Sequence, residues 1–191
     1  MNCKVEEIEG EKIFFYKEVT STMDVADELA KKGECGIVIA ESQSSGKGRY
    51  GRKWFSPEGG LYLSWVTKDK KELKKHILEI SALTLVKTLN SFDIKNCKIK
   101  FPNDIIINKK KIAGILIKKK SYCIILGVGV NLNNLGSEIG NYAVSFKELK
   151  NKELEIEKFL KVFILTFKSI HRGFTENSAT YLEKWSNLLI K

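Results

Sequence analysis

Arginine and proline are scarce in this 191-residue chain: three arginines, Arg49, Arg52 and Arg172, stand among 33 basic residues, and Pro57 and Pro102 are the two prolines. The four cysteines, Cys3, Cys35, Cys97 and Cys123, form no C-x-x-C pair and lie far in sequence from His76 and His171. That argues against a structural zinc site and fits a reducing compartment. No apolar run approaches the roughly 18 residues of a membrane span. The opening residues carry acids instead of the apolar core of a secretory signal, so a cytoplasmic location is expected. Neither a repeat, a low-complexity tract nor a shift in composition divides the chain, and one domain over residues 1–191 is expected. The net charge of +10 comes almost wholly from lysine, as in a compositionally biased proteome, and speaks only weakly for a nucleic-acid partner. Lysines on helices and turns, such as Lys118–Lys120, read as solvated background. The informative question is where the few arginines lie.

Apolar spacing supplies the elements. Ile13–Tyr16, Gly36–Ala40, Leu61–Val66, Lys98–Phe101, Ile105–Ile107, Ile112–Ile117 and Tyr122–Gly127 read as strands, with Asn108–Lys111 as a hairpin turn. Helical periodicity runs over Glu72–Asn90, Glu155–Ile170 and Ala179–Ile190. Ser21-Thr22-Met23-Asp24 has the form of a capping box opening a further helix that Gly33 closes. Clustered strands with short links predict an α+β fold, a mixed, mainly antiparallel sheet flanked by helices.

Two of the three arginines share one polar loop between strands. Gly46-Lys47-Gly48-Arg49-Tyr50-Gly51 has the form G-x-G-x-x-G, yet the chain continues through Pro57 to Gly59-Gly60 instead of opening a helix, so the dinucleotide fingerprint fails. A P-loop fails too, because Gly48 follows Lys47 where Ser or Thr is required. What remains is a cradle for an anion. The glycines allow close backbone approach, Lys47, Arg49, Arg52 and Lys53 supply charge, and arginine forks onto carboxylate or phosphate. Tyr50 and Trp54 can stack on a base. Two further segments combine turn residues with amide and carboxylate groups: Lys100–Asp104, and Gly127–Asn133 at a strand end.

In this order the three segments resemble the biotin–protein ligase family over essentially the whole chain. SGKGRYGRKWFSP resembles the GRGRRGRxW signature, KFPNDIIINKKKIAGIL resembles KWPNDxxxxxxKxAGIL, and GVGVNLN resembles GxGxNxN. The resemblance implies the class II aminoacyl-tRNA-synthetase-like fold of biotin–lipoate ligase catalytic domains. It implies that domain alone, without the N-terminal DNA-binding domain and with the C-terminal SH3-like domain absent or truncated. The implied activity joins biotin to ATP, with Mg²⁺, as biotinyl-5′-AMP, and passes biotin to a lysine of a biotin carboxyl carrier protein domain of a biotin-dependent carboxylase. A homodimer through a sheet edge is open to such a domain; nucleic-acid and membrane partners are not expected. Carried over by position, Lys111 and Arg49 are the catalytic residues. Ser21, Thr22, Met23, Gln43, Lys47, Gly48, Arg49, Lys111 and Gly114 fall on the biotin side. Arg52, Trp54, Asn103, Asp104, Lys111 and Asn131 fall on the ATP side. Asp104 either orients a cation or accepts from the incoming lysine. The chain departs from the family pattern at Lys47 and Tyr50, where arginine is usual, at Phe101, where tryptophan is, and at Met23, where asparagine is common.

Two other readings stay open. A lipoate-type ligase or acyltransferase of related fold would use the same adenylate chemistry but would not need a polar pocket end for a ureido ring. A small basic nucleic-acid-binding protein would spread its arginines over a face and lose affinity steeply with salt.

Overall fold

The computed structural model describes residues 3–68 and 71–190. Its strands are β1 (Cys3–Ile8), β2 (Glu11–Val19), β3 (Gly36–Gln43), β4 (Leu61–Lys68), β5 (Lys98–Lys100), β6 (Asp104–Ile107), β7 (Lys110–Lys119) and β8 (Cys123–Val130). The main helices are α1 (Thr22–Lys31), α2 (Lys71–Ser91), α5 (Ile156–Glu176) and α6 (Ser178–Ser186), with two short ones, α3 (Gly136–Ile139) and α4 (Phe146–Lys150). One eight-stranded sheet runs in the order β1-β2-β3-β4-β8-β7-β6-β5. Its single parallel pair is β2–β3, which α1 connects as the crossover. The expected mixed, mainly antiparallel α+β sheet is what the chain forms.

Alternation along the central strands divides the sheet into two unlike faces. Ile37 and Ile39 of β3, Leu61, Leu63 and Trp65 of β4, and Ile124, Leu126 and Val128 of β8 join the large core beneath α2 and α5. Trp65 meets Phe167 of α5 there, ring centres 4.8 Å apart. On the opposite face, Val38, Val66 and Ile125 pack under Met23, Ala26 and Leu29 of α1. That second face also carries small residues. Asp104, Gly114, Gly129 and Tyr62 are neighbours in one cross-strand row, and Leu116, Gly127 and Ser64 in the next. A helix-covered apolar face and a hollowed face are set by the same period of two.

Several local expectations are corrected. Ser21 is the N-cap of α1, but its hydroxyl makes no capping hydrogen bond and the capping box does not form. The Ser21 side chain is buried, and Asp24 instead turns to Lys47. The hairpin turn is Asn108-Lys109, both at positive φ as a tight two-residue connection requires, so Lys111 lies on β7 and not in the turn. The last helix ends at Ser186, because the following residues pair with β5: the Ile99 N–H donates to Leu188 and the Ile190 N–H to Ile99. Lys118 and Lys120 are not background. Both pair with Asp27 of α1, and these hydrogen bonds, that from Lys120 foremost, hold the Asp27 carboxyl below the usual range.

Candidate functional site

The hollowed face holds a cavity of about 440 Å³, roofed by the Gly/Arg loop and floored by β4, β7 and β8. All of the predicted site residues except Asn131 line it. Its closed end is polar. The Thr22 N–H donates to Gln43 Oε1 at 2.8 Å, and the Thr22 hydroxyl donates to the same oxygen at 3.1 Å while accepting from Ser64 Oγ at 2.8 Å. Gln43 Nε2 donates to Ser56 Oγ at 2.7 Å, and Ser56 in turn donates to the Trp54 carbonyl. The relay runs from the pocket floor to the base of the loop. The fully buried Ser21 hydroxyl, beside it, has no partner among the described residues. Buried hydroxyls rarely stay unsatisfied without a reason, and Ser21 is among the residues that line the cavity.

Met23 forms the wall next to this end, its Sδ lying 2.7 Å from where a Cβ on Gly127 would stand. Further along, the Trp54 indole lies against Gly114 and Gly129, paired residues of β7 and β8. A Cβ on Gly114 would come within 2.8 Å of the ring, and one on Gly129 within 2.5 Å. Both glycines are thus the slot that admits an indole at the sheet surface. The indole N–H is buried without a partner among the described residues.

Lys111 reaches the same slot, its Cε and Nζ lying 3.0 and 3.1 Å from where a Cβ on Gly114 would stand. Its Nζ stands 4.7 Å from the ring centre and 2.7 Å from Asp104 Oδ1, both side chains about 30% exposed. Asn103 faces two ways. Its Nδ2 donates to the Ile115 carbonyl at 2.8 Å, and its Oδ1 accepts from Arg49 Nη1 at 3.2 Å. Arg49 also donates to the Tyr50 hydroxyl, at 2.7 Å. Lys47 Nζ is taken by Asp24 Oδ1 at 2.5 Å. Gly48, Arg52 and Lys53 complete the roof.

A second cavity of about 440 Å³ opens beyond Trp54, and Lys53, Asp104 and Lys111 line both. Asn131, buried, borders this second space; its Nδ2 makes a long 3.4 Å contact to the Lys111 carbonyl, beneath the ammonium group. Lys111 thus stands between two compartments, with the Asp104 carboxylate and the Trp54 indole against it. Such a geometry suits the meeting of two anionic reactants, whose repulsion fixed cations offset.

Ser64, Ser56 and Tyr62 went unrecognised in the sequence. Tyr62 donates to the Pro57 carbonyl at 2.7 Å and accepts from Asn134 at 2.9 Å, clamping the end of the loop to the segment after β8. Ser64 had a signal, as the one small polar side chain within the apolar run Leu61–Val66.

The family model of the biotin/lipoate A/B protein ligases matches residues 15–131. The bifunctional ligase/repressor BirA of Bacillus spizizenii is 27% identical over 188 residues, covering 91% of this chain and 58% of that protein. BirA of Escherichia coli is 27% identical over 177 residues, covering 87% and 54%. The chain thus spans little more than half the length of these relatives. Among solved structures, the biotin protein ligase of Aquifex aeolicus in complex with biotin and ATP superposes with a TM-score of 0.79 at 26% identity, covering 93% of this chain and 78% of that one. The Leishmania major biotin protein ligase in complex with biotin gives 0.81 at 26% identity, covering 94% and 81%. The matched span of 15–131 runs from β2 through the loop and the Lys111 strand to Asn131, and on that ground the chain belongs to the biotin/lipoate A/B protein ligase family.

Proposed function

We propose that the chain activates biotin with ATP and transfers it to a lysine of a biotin carboxyl carrier protein domain. The observation that carries this reading is the pairing of a polar, closed pocket end with a cationic one. A ureido ring offers two N–H donors and one carbonyl. Thr22 Oγ1 keeps one lone pair as an acceptor, and Gln43 Oε1 would become the second once the Thr22 hydroxyl turns from it. The Ser21 hydroxyl, unpartnered among the described residues, is the donor at this end. The apolar body would lie between Met23, Trp54 and Leu116, leaving the carboxylate toward Lys111 and Arg49. A cavity of about 440 Å³ falls within the roughly 300–1,000 Å³ of small-molecule sites. A lipoate-type pocket has no use for the polar end.

In the first step a carboxylate oxygen attacks the α-phosphorus of ATP, and the bond to pyrophosphate breaks. Lys111, between the two cavities, would offset charge on both reactants. In the second step a lysine ε-amine attacks the acyl carbon, the acyl–phosphate C–O bond breaks, and AMP leaves with the electron pair. Arg52, Trp54, Asn103 and Asp104 are assigned to the nucleotide, with Asn131 acting from beneath Lys111. Asp104 is the carboxylate nearest the nucleotide space, and the described residues hold no cluster of three metal-ligating side chains. Mg²⁺ would therefore take Asp104 at most from the protein and its other ligands from phosphate and water. No helix among the described residues is long and apolar enough to cross a membrane, and the cytoplasm is the proposed location. A homodimer through a sheet edge would use β1, since residues 188–190 occupy the outer edge of β5.

The test is pyrophosphate exchange into ATP by the purified chain. Exchange that requires biotin is the expected result. Exchange indifferent to biotin, or supported by lipoate in its place, would overturn the assignment.

A further inference from the structure

The Gly/Arg segment folds into a hairpin of its own. Lys47 and Lys53 form an antiparallel bridge, the Gly48 N–H donates to the Arg52 carbonyl at 2.7 Å, and Tyr50 and Gly51 turn the tip at positive φ. The base is closed by the Trp54 N–H on the Gly46 carbonyl at 2.9 Å. Beyond Trp54 at its base, this hairpin has little packing to hold it down: Tyr50, its largest side chain at the tip, is 83% exposed. Among the described residues, two side-chain links tie it to the body across the pocket. Arg49 reaches Asn103 on the turn between β5 and β6, and Lys47 reaches Asp24 in the first turn of α1.

The second link is placed to govern closure. Asp24 belongs to the helix whose N-cap Ser21 and first residue Thr22 form the closed end of the pocket, so the ion pair joins the roof to that end. A separate cavity of about 570 Å³ lies on the far side of the hairpin, bordered by Asp24, Lys47, Arg52 and Lys118. Lys47 lines both this space and the pocket, so the pair is a strut in the wall between them. It also explains why Asp24 does not serve the helix cap: its carboxylate is committed to the loop.

We propose that Asp24 is a positioning residue which, through Lys47, holds the Gly/Arg hairpin closed on the α1 side of the pocket. Both side chains are 48% exposed, which gives the link the modest, salt-sensitive strength of a surface ion pair. Its loss shifts the ratio of closed to open hairpin by about two- to five-fold. The closure itself does not depend on which ligand is bound; its effect on catalysis rests on the function proposed above.

The hairpin reports on itself, because Arg49 and Arg52 are trypsin sites within it. Cleavage at these two bonds is followed by mass spectrometry on the ligand-free protein. Asp24→Asn is expected to be cut about two- to five-fold faster than the unmodified chain at low salt, with the difference vanishing at about 1 M salt, where the screening length falls to about 3 Å. Lys47→Glu is expected to be cut faster as well, and Asp24→Lys combined with Lys47→Glu to be cut more slowly than Lys47→Glu alone. Equal cleavage of Asp24→Asn and the unmodified chain at low salt overturns the proposal. So does a reversed pair that restores no protection, since a merely frayed α1 would behave that way. In biotin-dependent pyrophosphate exchange, Asp24→Asn should raise the KM for biotin by the same two- to five-fold with kcat little changed, and the reversed pair should recover part of the loss. If the unmodified chain shows no biotin-dependent exchange, the proposed function fails, while the proteolysis still decides the role of Asp24.

Discussion

Lys111→Met keeps a long unbranched side chain on β7 but removes the ammonium that lies 2.7 Å from Asp104 and 4.7 Å from the centre of the Trp54 ring. The thioether still covers the indole, a contact sulfur makes favourably, and the lost ion pair is partly exposed, so the fold should lose at most about 1 kcal/mol. Catalysis should lose far more. A fixed cation or donor aimed at developing charge is worth about 2.7–4 kcal/mol, or roughly 10²–10³ in rate. The substitution also leaves the Asp104 carboxylate uncompensated where anions must enter. At a separation of about 5.5 Å and an effective dielectric of about 20, that repulsion is about 3 kcal/mol. The two contributions overlap, and adenylation should fall by about 10²–10⁴. Biotin-dependent pyrophosphate exchange measures the rate, titration measures biotin binding, and the thermal midpoint reports the fold. Adding Asp104→Asn should recover up to about 10²-fold, the rate equivalent of the repulsion of about 3 kcal/mol. Exchange within about five-fold of the unmodified chain would refute the electrostatic role of Lys111. A double variant that recovers nothing would refute the repulsion.

Gly129→Ala would put a methyl 2.5 Å from the Trp54 ring, costing about 1–3 kcal/mol by overpacking; an unchanged thermal midpoint and tryptophan emission would contradict the slot. Tyr62→Phe removes a hydroxyl bonded to Pro57 and Asn134, and urea denaturation should show a loss of about 1–3 kcal/mol. Asp27 has a folded pKa below its unfolded value of about 3.9, so its contribution is present above that pH and is lost as pH falls through the folded value. Denaturation midpoints measured down the acid range should therefore fall less steeply for Asp27→Asn than for the unmodified chain. Arg49→Gly cuts the hairpin's link to Asn103, and biotinyl-adenylate should then escape into the filtrate during turnover; full retention would count against the hairpin as a cover.

The sheet was legible because burial on one face and hollowing on the other impose alternation that local pattern carries. Leu61–Val66 and Ile112–Ile117 each read as strands from their own residues. The capping box misled because its acid has a stronger claim elsewhere: Asp24 is drawn to Lys47, 23 residues away, a contact that spacing does not reveal. The end of the last helix was missed for the same kind of reason, since residues 188–190 leave the helical path to satisfy the edge of β5. The polar end of the pocket was half legible. Thr22 and Gln43 came from the resemblance, while Ser64 joins them only through the pairing of β4 with β3, which sets its hydroxyl against Thr22.

The three motifs are far apart in sequence but form one physical object, and the sheet register explains why each needs its glycines. Asp104, Gly114, Gly129 and Tyr62 lie side by side across β6, β7, β8 and β4. The two glycines leave a trough at the middle of this row, and Trp54 descends from the loop to fill it. The indole in turn lies against the Lys111 ammonium, which Asp104 holds by an ion pair. A side chain at either glycine would lift the indole, and with it the surface that aims the lysine. The glycine before Asn131, the glycine after Lys111 and the tryptophan after the two arginines are therefore a single packing requirement distributed over three segments. The same logic divides the chain's positive charge. Lys111, Arg49 and Lys47 are each fixed by a specific partner at the pocket, Asp104, Asn103 and Asp24. A net charge of +10 would suit any polyanion; three cations held this way around one cavity suit a small anionic ligand.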